Sequence, residues 1–167
     1  MTTDQLSLPE WVEAEGVVAG QHWIQVPRER IRETLTHLKS QGFGSFCMMT
    51  AVDHLVTPVA EPGPERFELV YQLRNMSTHT EVRIRVFVPE SDPAVPSVHD
   101  IFGPANWDER ETWDMFGISF GDHPDLTRIL MPEDWVGHPL RRDFPVGGEP
   151  VDFSEDHETW QTAPEEA

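Results

Sequence analysis

The stretch that decides the fold runs from residue 67 to residue 88 and reads FELVYQLRNMSTHTEVRIRVFV. Apolar and polar residues alternate in both halves of it, which is typical of strands that bury one face. In the second half, Val82, Ile84, Val86 and Val88 fall on one face. The short polar link NMSTHT joins the halves, so the sequence predicts an antiparallel hairpin of strands over 67–74 and 81–88.

A helix is predicted before the hairpin, over residues 27–42. Ile31, Leu35 and Leu38 lie there at i, i+4 and i+7, which forms one apolar stripe, and Gly42 follows as a C-terminal cap. Weaker patterns predict further short elements: a helix over 9–16, strands over 22–26 and 45–52, and a small helix over 98–102.

A last helix is predicted over residues 107–116. We expect Asn106 as its N-cap, Glu109 in a capping box and Gly117 as the left-handed residue after its end. The order of elements predicts an α+β fold, in which a four-stranded, largely antiparallel sheet has helices on one face and is followed by an extended C-terminal arm.

This pattern divides the chain into three parts. We expect a globular α+β domain over 1–117, an extended docking arm over 118–147 and an acidic tail over 148–167. The tail contains no Lys or Arg, and two interpretations stay open for it. It is a solvated, partly disordered segment, or it pairs with a basic groove on a partner.

Composition excludes several classes of function. A net charge of −18 argues against nucleic acid or anionic lipid as a partner, because both attract clusters of Lys and Arg. The single cysteine, Cys47, excludes an internal disulfide, a cysteine-rich zinc site and an all-cysteine iron–sulfur cluster held by this chain alone. No apolar run has the roughly 18 residues that a membrane span requires, so a cytosolic or peripheral protein is expected.

Residues 109–145, ERETWDMFGISFGDHPDLTRILMPEDWVGHPLRRDFP, predict a docking surface. They are rich in aromatic residues, Arg and Pro, yet they show no sustained period after Phe116, so they must lie against something else. Arg and aromatic side chains together are typical of interface hot spots, and adjacent Arg141 and Arg142 suit a partner's carboxylates, although a solvated basic turn is the alternative. The candidate interface residues are Arg110, Trp113, Phe116, His123, Arg128, Trp135, Arg141, Arg142, Asp143 and Phe144.

Catalytic and metal-binding interpretations of the same stretch have less support. The spacing of Glu111 and Asp114, with Arg110 one turn before Asp114, predicts surface ion pairs on a helix. The run 122–125, DHPD, offers possible metal ligands, but its aspartates readily bond to backbone N–H groups in a turn. No nucleotide-binding motif follows any predicted strand. We therefore expect no catalytic, cofactor-binding or metal-binding residues on this chain.

The same stretch carries a family resemblance. Residues 109–111 (ERE), 114–117 (DMFG), 123–126 (HPDL), 128–130 (RIL) and 135–145 (WVGHPLRRDFP) resemble the C subunit of respiratory NADH-quinone oxidoreductase, or complex I, the NuoC and NdhJ family. The match is strong here and weaker over residues 20–100. One departure lies at Thr127, where the family usually has a basic residue.

The resemblance implies a cofactor-free structural or assembly subunit of the peripheral arm of a proton-translocating complex. It implies docking on the large D subunit, with the B and I subunits nearby, on the cytoplasmic side of the cell membrane. FMN, iron–sulfur clusters and quinone would be bound by those partner subunits. Two alternatives stay open: the equivalent subunit of a ferredoxin-, F420- or hydrogenase-type membrane complex, and, more remotely, a stand-alone hydrolase that uses Glu111 or Asp114 with His123.

Overall fold

The computed structural model describes residues 7–55 and 65–145. The strands are β1 (Ala14–Val18), β2 (Gln21–Gln25), β3 (Ser45–Asp53), β4 (Phe67–Asn75), β5 (Thr80–Val88), β6 (Ala94–Pro96) and β7 (Ser119–Gly121). The helices are α1 (Ile31–Ser40), which a short 3-10 turn at Arg28–Arg30 precedes, and α2 (Ala105–Phe116). No helix in these two ranges has the length and apolar character needed to cross a bilayer.

One sheet of five strands in the order β1-β2-β5-β4-β3 forms the centre of the domain. The predicted hairpin is confirmed, because β4 and β5 pair antiparallel with Tyr71 opposite Ile84. β2 instead pairs parallel with β5, so the sheet is mixed. The prediction of an α+β fold is therefore confirmed, whereas the prediction of four strands is wrong.

The additional strand is β1, which lies where a helix was predicted over 9–16. Ala19 and Gly20 connect β1 to β2, and both have positive φ values of 51° and 81°. Two such residues form the tight turn that suits the twist of paired strands. Gly16, the predicted helix end, lies beneath the indole of Trp23, where a Cβ would come within 2.8 Å of the ring. The hairpin and this close contact outweigh the weak helical pattern.

The core lies between one face of the sheet and the helices. Leu69 and Tyr71 of β4 are fully buried there, together with Ile31, Leu35 and Leu38 of α1. The predicted stripe of α1 is thus confirmed. Burial of each large apolar side chain contributes about 1.5–3 kcal/mol, so this face accounts for much of the stability.

The beginning of α2 differs from its prediction. Pro104 is the N-cap and no side chain caps the helix, so the expected roles of Asn106 and Glu109 are wrong. Glu109 is fully buried and accepts a hydrogen bond from the backbone N–H of Val98 at 2.7 Å. The small helix predicted over 98–102 is a single turn, closed by a bond from Phe102 N–H to the carbonyl of Val98.

Residues after α2 first return to the domain. Gly117 has φ 75°, which confirms its predicted left-handed conformation. β7 then pairs parallel with β6, and Ile118 and Phe120 are buried. Residues 122–145 contain no helix or strand. The predicted tail over 148–167 lies outside the described residues.

Gly117→Ala should destabilise the chain by about 1–3 kcal/mol, because the positive φ disfavours any side chain. A Cβ at this position would also lie 2.5 Å from side-chain atoms of Arg141 and His138. Gly44→Ala is the matched control, since a Cβ there meets nothing within 4 Å. Urea unfolding measures both variants. Equal free energies of unfolding would contradict the assigned conformation of Gly117.

Candidate docking surface

A buried carboxylate near the C-terminal end of α2 holds the first part of the arm. Asp114 accepts hydrogen bonds from the backbone N–H groups of Ile129, Leu130 and Met131 at 3.1, 2.8 and 2.9 Å, and it also pairs with Arg128. Burial would raise the pKa of Asp114, but these bonds outweigh it and hold the pKa below its ordinary value. The predicted surface pair of Arg110 and Asp114 is therefore wrong, because the Asp114 side chain is 0% exposed.

Arg128 connects α2 to a more distant part of the arm. Besides Asp114, its guanidinium donates to the carbonyls of Trp135 at 2.9 Å and Gly137 at 3.3 Å. The same group lies over the ring of Trp113, 5.7 Å from the centroid. One side chain thus joins the helix, its own segment and residues 135–137, which a planar guanidinium with several donors can do.

A second buried carboxylate, Asp53 at the end of β3, holds the last described part of the arm. It accepts bonds from the guanidinium of Arg66 and from the backbone N–H of Arg142, both at 2.9 Å. Arg66 also pairs with Asp143 at 2.7 Å. Burial would raise the pKa of Asp53, but the bonds from Arg66, Arg142 and Leu55 lower it to about 2.

Aromatic rings also contribute to this attachment, through contacts with Arg141 and Phe144. Arg141 donates through Nε to the carbonyl of Phe116, and its guanidinium lies 5.3 Å from the ring centroid of Phe67. Phe144 stacks on Trp135 with centroids 6.4 Å apart. The guanidiniums of Arg128 and Arg141 thus bond within the chain, so loss of Arg141 should also affect the isolated domain. Exposed Arg142 instead bonds to Asp53 through its backbone N–H.

The remaining candidate residues also lie along α2. Arg110 donates to the carbonyl and hydroxyl of Thr127 at 3.1 and 3.0 Å. Phe116 is 7% exposed and belongs to the core. His123 donates through Nε2 to the carbonyl of Asn106 at 3.2 Å, while its Nδ1 accepts from Asp125 N–H. Whether any of the predicted interface residues also contacts a partner stays a prediction.

Besides charged residues such as Arg142, Glu133 and Asp134, the arm exposes four aliphatic side chains. Val136 is 87% exposed, Leu130 60%, Leu140 52% and Ile129 38%. Each lies beside a hydrogen bond that holds the arm to the domain. Ile129 and Leu130 follow Arg128, and Val136 lies between the two residues whose carbonyls accept bonds from Arg128. The N–H of Leu140 donates to the carbonyl of Met115. We call these four residues the exposed apolar set. Sequence reasoning missed these four residues because it gave most weight to Arg and aromatic residues. The signal that could have found them is that the apolar residues of the arm follow no helical or strand period.

The hydrolase interpretation finds no assembled site. Asp114 has both carboxylate oxygens occupied, and His123 bonds to Asn106, two helical turns before Asp114. Glu111 is exposed. Glu109 lies 3.7 Å from His123, but it is fully buried and bonded to Ser97 and Val98, and burial raises its pKa. In the part of the chain that the structure describes, no three His, Cys, Asp or Glu side chains are placed to hold a metal.

The chain is similar to known proteins over most of its length. A family model described as "Respiratory-chain NADH dehydrogenase, 30 Kd subunit" matches residues 24–150. The NADH-quinone oxidoreductase subunit 5 of Thermus thermophilus is 45% identical over 141 residues, which covers 81% of this chain and 67% of that protein. The C subunit of the NADH-quinone oxidoreductase of Acidothermus cellulolyticus is 41% identical over 146 residues, covering 87% of this chain and 75% of that one.

Two solved structures are similar to the chain. One is described as Nqo5, the trypsin-resistant fragment 1–134, with 42% identity and a TM-score of 0.60, covering 64% of this chain and 83% of that one. A chain of the archaeal membrane-bound sulfane sulfur reductase has a TM-score of 0.63 over 95% of this chain and 89% of its own, but at 24% identity it shows the fold alone. Because the family model covers most of the sequence, the chain belongs to the family of the 30 kDa subunit of respiratory-chain NADH dehydrogenase.

Proposed function

We propose that this chain is the cofactor-free structural subunit of a proton-translocating NADH-quinone oxidoreductase and that it docks on the large D subunit through its arm. FMN, the iron–sulfur clusters and the quinone site belong, in this proposal, to other subunits, with the B and I subunits near the docking site. The protein lies at the cytoplasmic side of the membrane as a peripheral component. Family membership supports a role within this oxidoreductase.

One observation carries the docking part of the proposal. Asp114 and Asp53 fix the arm to the domain at two places, while the exposed apolar set remains in water. Water-exposed apolar residues on a fixed segment suit a protein interface, since a partner that covers them gains hydrophobic free energy at little cost in ordering the chain. We infer that the contact with the D subunit is mainly apolar and that Arg128 and Arg141 position the arm.

The relatives favour NADH-quinone oxidoreductase over the alternative complexes. Those from Thermus and Acidothermus, at 45% and 41% identity, are both named as subunits of that enzyme. The trypsin resistance stated for the Nqo5 fragment supports a domain that folds without the C-terminal part of its chain. This is the architecture expected of a globular domain with a docking segment.

Replacing Leu130 and Val136 together by Asp should disrupt assembly, because two charges would have to be desolvated in an apolar contact. We expect the loss of about 3 kcal/mol or more of binding free energy, equivalent to over a hundredfold in affinity. Co-purification with the D subunit and NADH:quinone reductase activity of membranes are the measurements. The isolated variant should keep the parent's circular dichroism spectrum.

Met76→Asp is the matched control. Met76 is 61% exposed, like Leu130, but it lies in the turn between β4 and β5. Complexes that assemble normally with the double variant would contradict the apolar docking contact. Equal losses from the double variant and from Met76→Asp would contradict it too, since any added exposed charge would then suffice.

The attachment of the arm to Asp53 should make the free energy of unfolding depend on pH. The pKa of Asp53 is lowered from 3.8 to about 2, so its stabilising contribution is complete above pH 3.8 and is lost as the pH falls through about 2. Between about pH 5 and pH 2 the free energy of unfolding should decrease by about 2 kcal/mol through this group. Asp53→Asn should flatten the decrease, and exposed Asp134→Asn should not. Parallel curves for all three proteins would contradict the attachment.

A further inference from the structure

The sheet face that points away from the helices contains a groove with a volume of about 280 Å³. It crosses the sheet from β1 to β3, so all five strands contribute to it or lie beneath it. Its lining combines apolar side chains with two arginines, one carboxylate and two other polar side chains, on a chain of net charge −18. The lining includes Val18, Trp23, Val52, Val70, Arg83 and Arg85.

The two arginines in the groove differ in what they bind. Arg85 pairs with Glu68, which also accepts a bond from His54 at 2.7 Å, and its guanidinium lies over Trp23. Arg83 is exposed and donates to the amide oxygens of Gln21 and Gln72. Within residues 7–55 and 65–145 no carboxylate pairs with Arg83. The groove therefore offers a cation to an acidic ligand, beside an apolar wall.

The last described residues attach at the end of the sheet where β3 finishes and β4 begins. Arg142 N–H bonds to Asp53 at the end of β3, and Asp143 pairs with Arg66 just before β4. Val52, which precedes Asp53, and Glu68, two residues after Arg66, line the groove, while Asp53 itself faces the helix side of the sheet. The sequence after Pro145 thus continues from the β3–β4 end of the sheet, and it would reach the groove by passing around that end.

The sequence that follows has the complementary chemistry. Residues 149–160 read EPVDFSEDHETW and contain several acidic residues but no Lys or Arg. Val151 and Phe153 alternate with Asp152, so an extended backbone would direct the two apolar side chains to one side. Twelve extended residues span about 40 Å, whereas five strands are about 20 Å wide, so the length suffices.

We propose that residues 149–160 bind in this groove, with carboxylates toward Arg83 and apolar side chains against Trp23 and Val70. The tail then covers the open face of its own sheet, as an acidic peptide ligand held by charge and apolar contact. This site is distinct from the exposed apolar set on the arm. Its test uses the isolated chain, so it succeeds or fails separately from docking on the D subunit.

A nitroxide label on the tail of the full chain tests the contact. Exposed Cys47 is replaced by Ser, Ser154 is replaced by Cys and labelled, and the unpaired electron broadens amide signals close to it. We expect strong broadening at Trp23, Val52, Val70 and Arg83. Glu33, on α1 at the other side of the domain, should be unaffected.

Arg83→Gln should reduce the broadening in the groove by about threefold, as expected for loss of an exposed charge pair, and raised salt should act in the same direction. Arg30→Gln is the matched control, because Arg30 is exposed at the start of α1. Equal effects of both substitutions, or broadening spread evenly over the domain, would overturn the proposal. So would broadening that arises only between labelled and unlabelled molecules, which would indicate a second copy of the chain in the groove.

Discussion

The hydrogen bonds to the buried carboxylate of Asp114 are the interaction on which the C-terminal part of the chain depends. A buried charge is tolerated only when it is paired and hydrogen-bonded, and Arg128 together with three successive backbone N–H groups supplies both conditions. Those N–H groups belong to a segment that pairs with no strand. The carboxylate therefore accepts hydrogen bonds for which no neighbouring strand offers an acceptor. Asp53 repeats the arrangement farther along the arm with Arg66 and the N–H of Arg142.

This use of charge determines what the surface of the arm offers. The guanidiniums of Arg128 and Arg141 are occupied by carbonyls, rings and a carboxylate of the same chain. The exposed apolar set is left in water, with Val136 its most exposed member, beside charged side chains such as Glu133, Asp134 and Arg142. This division of labour supports the proposed apolar contact to a partner, in which ionic and polar bonds would position the segment and hydrophobic burial would supply the affinity.

The elements that sequence predicts well are those with a local period. Apolar residues recur at every second position in the β4–β5 hairpin and at every third or fourth position in α1, and Gly117 directly follows a helical pattern. Residues close in sequence are therefore enough to predict these features. Contacts between distant residues are not visible in this way. The N–H of Arg142 bonds to Asp53, 89 positions earlier in the sequence. Glu109 accepts a hydrogen bond from the N–H of Val98 instead of capping its own helix. β1 was missed because its pairing depends on a turn and on the indole of Trp23.

Hydrogen exchange at the amides of Ile129, Leu130 and Met131 tests the role of Asp114 most directly. In the isolated chain these amides should exchange about tenfold or more slowly than those of Glu133 and Asp134, because only the former bond to a buried carboxylate. Asp114→Ala should abolish the difference, and Glu111→Ala, at an exposed position of the same helix, should preserve it. Rapid exchange at all three amides in the unmodified chain would contradict that role.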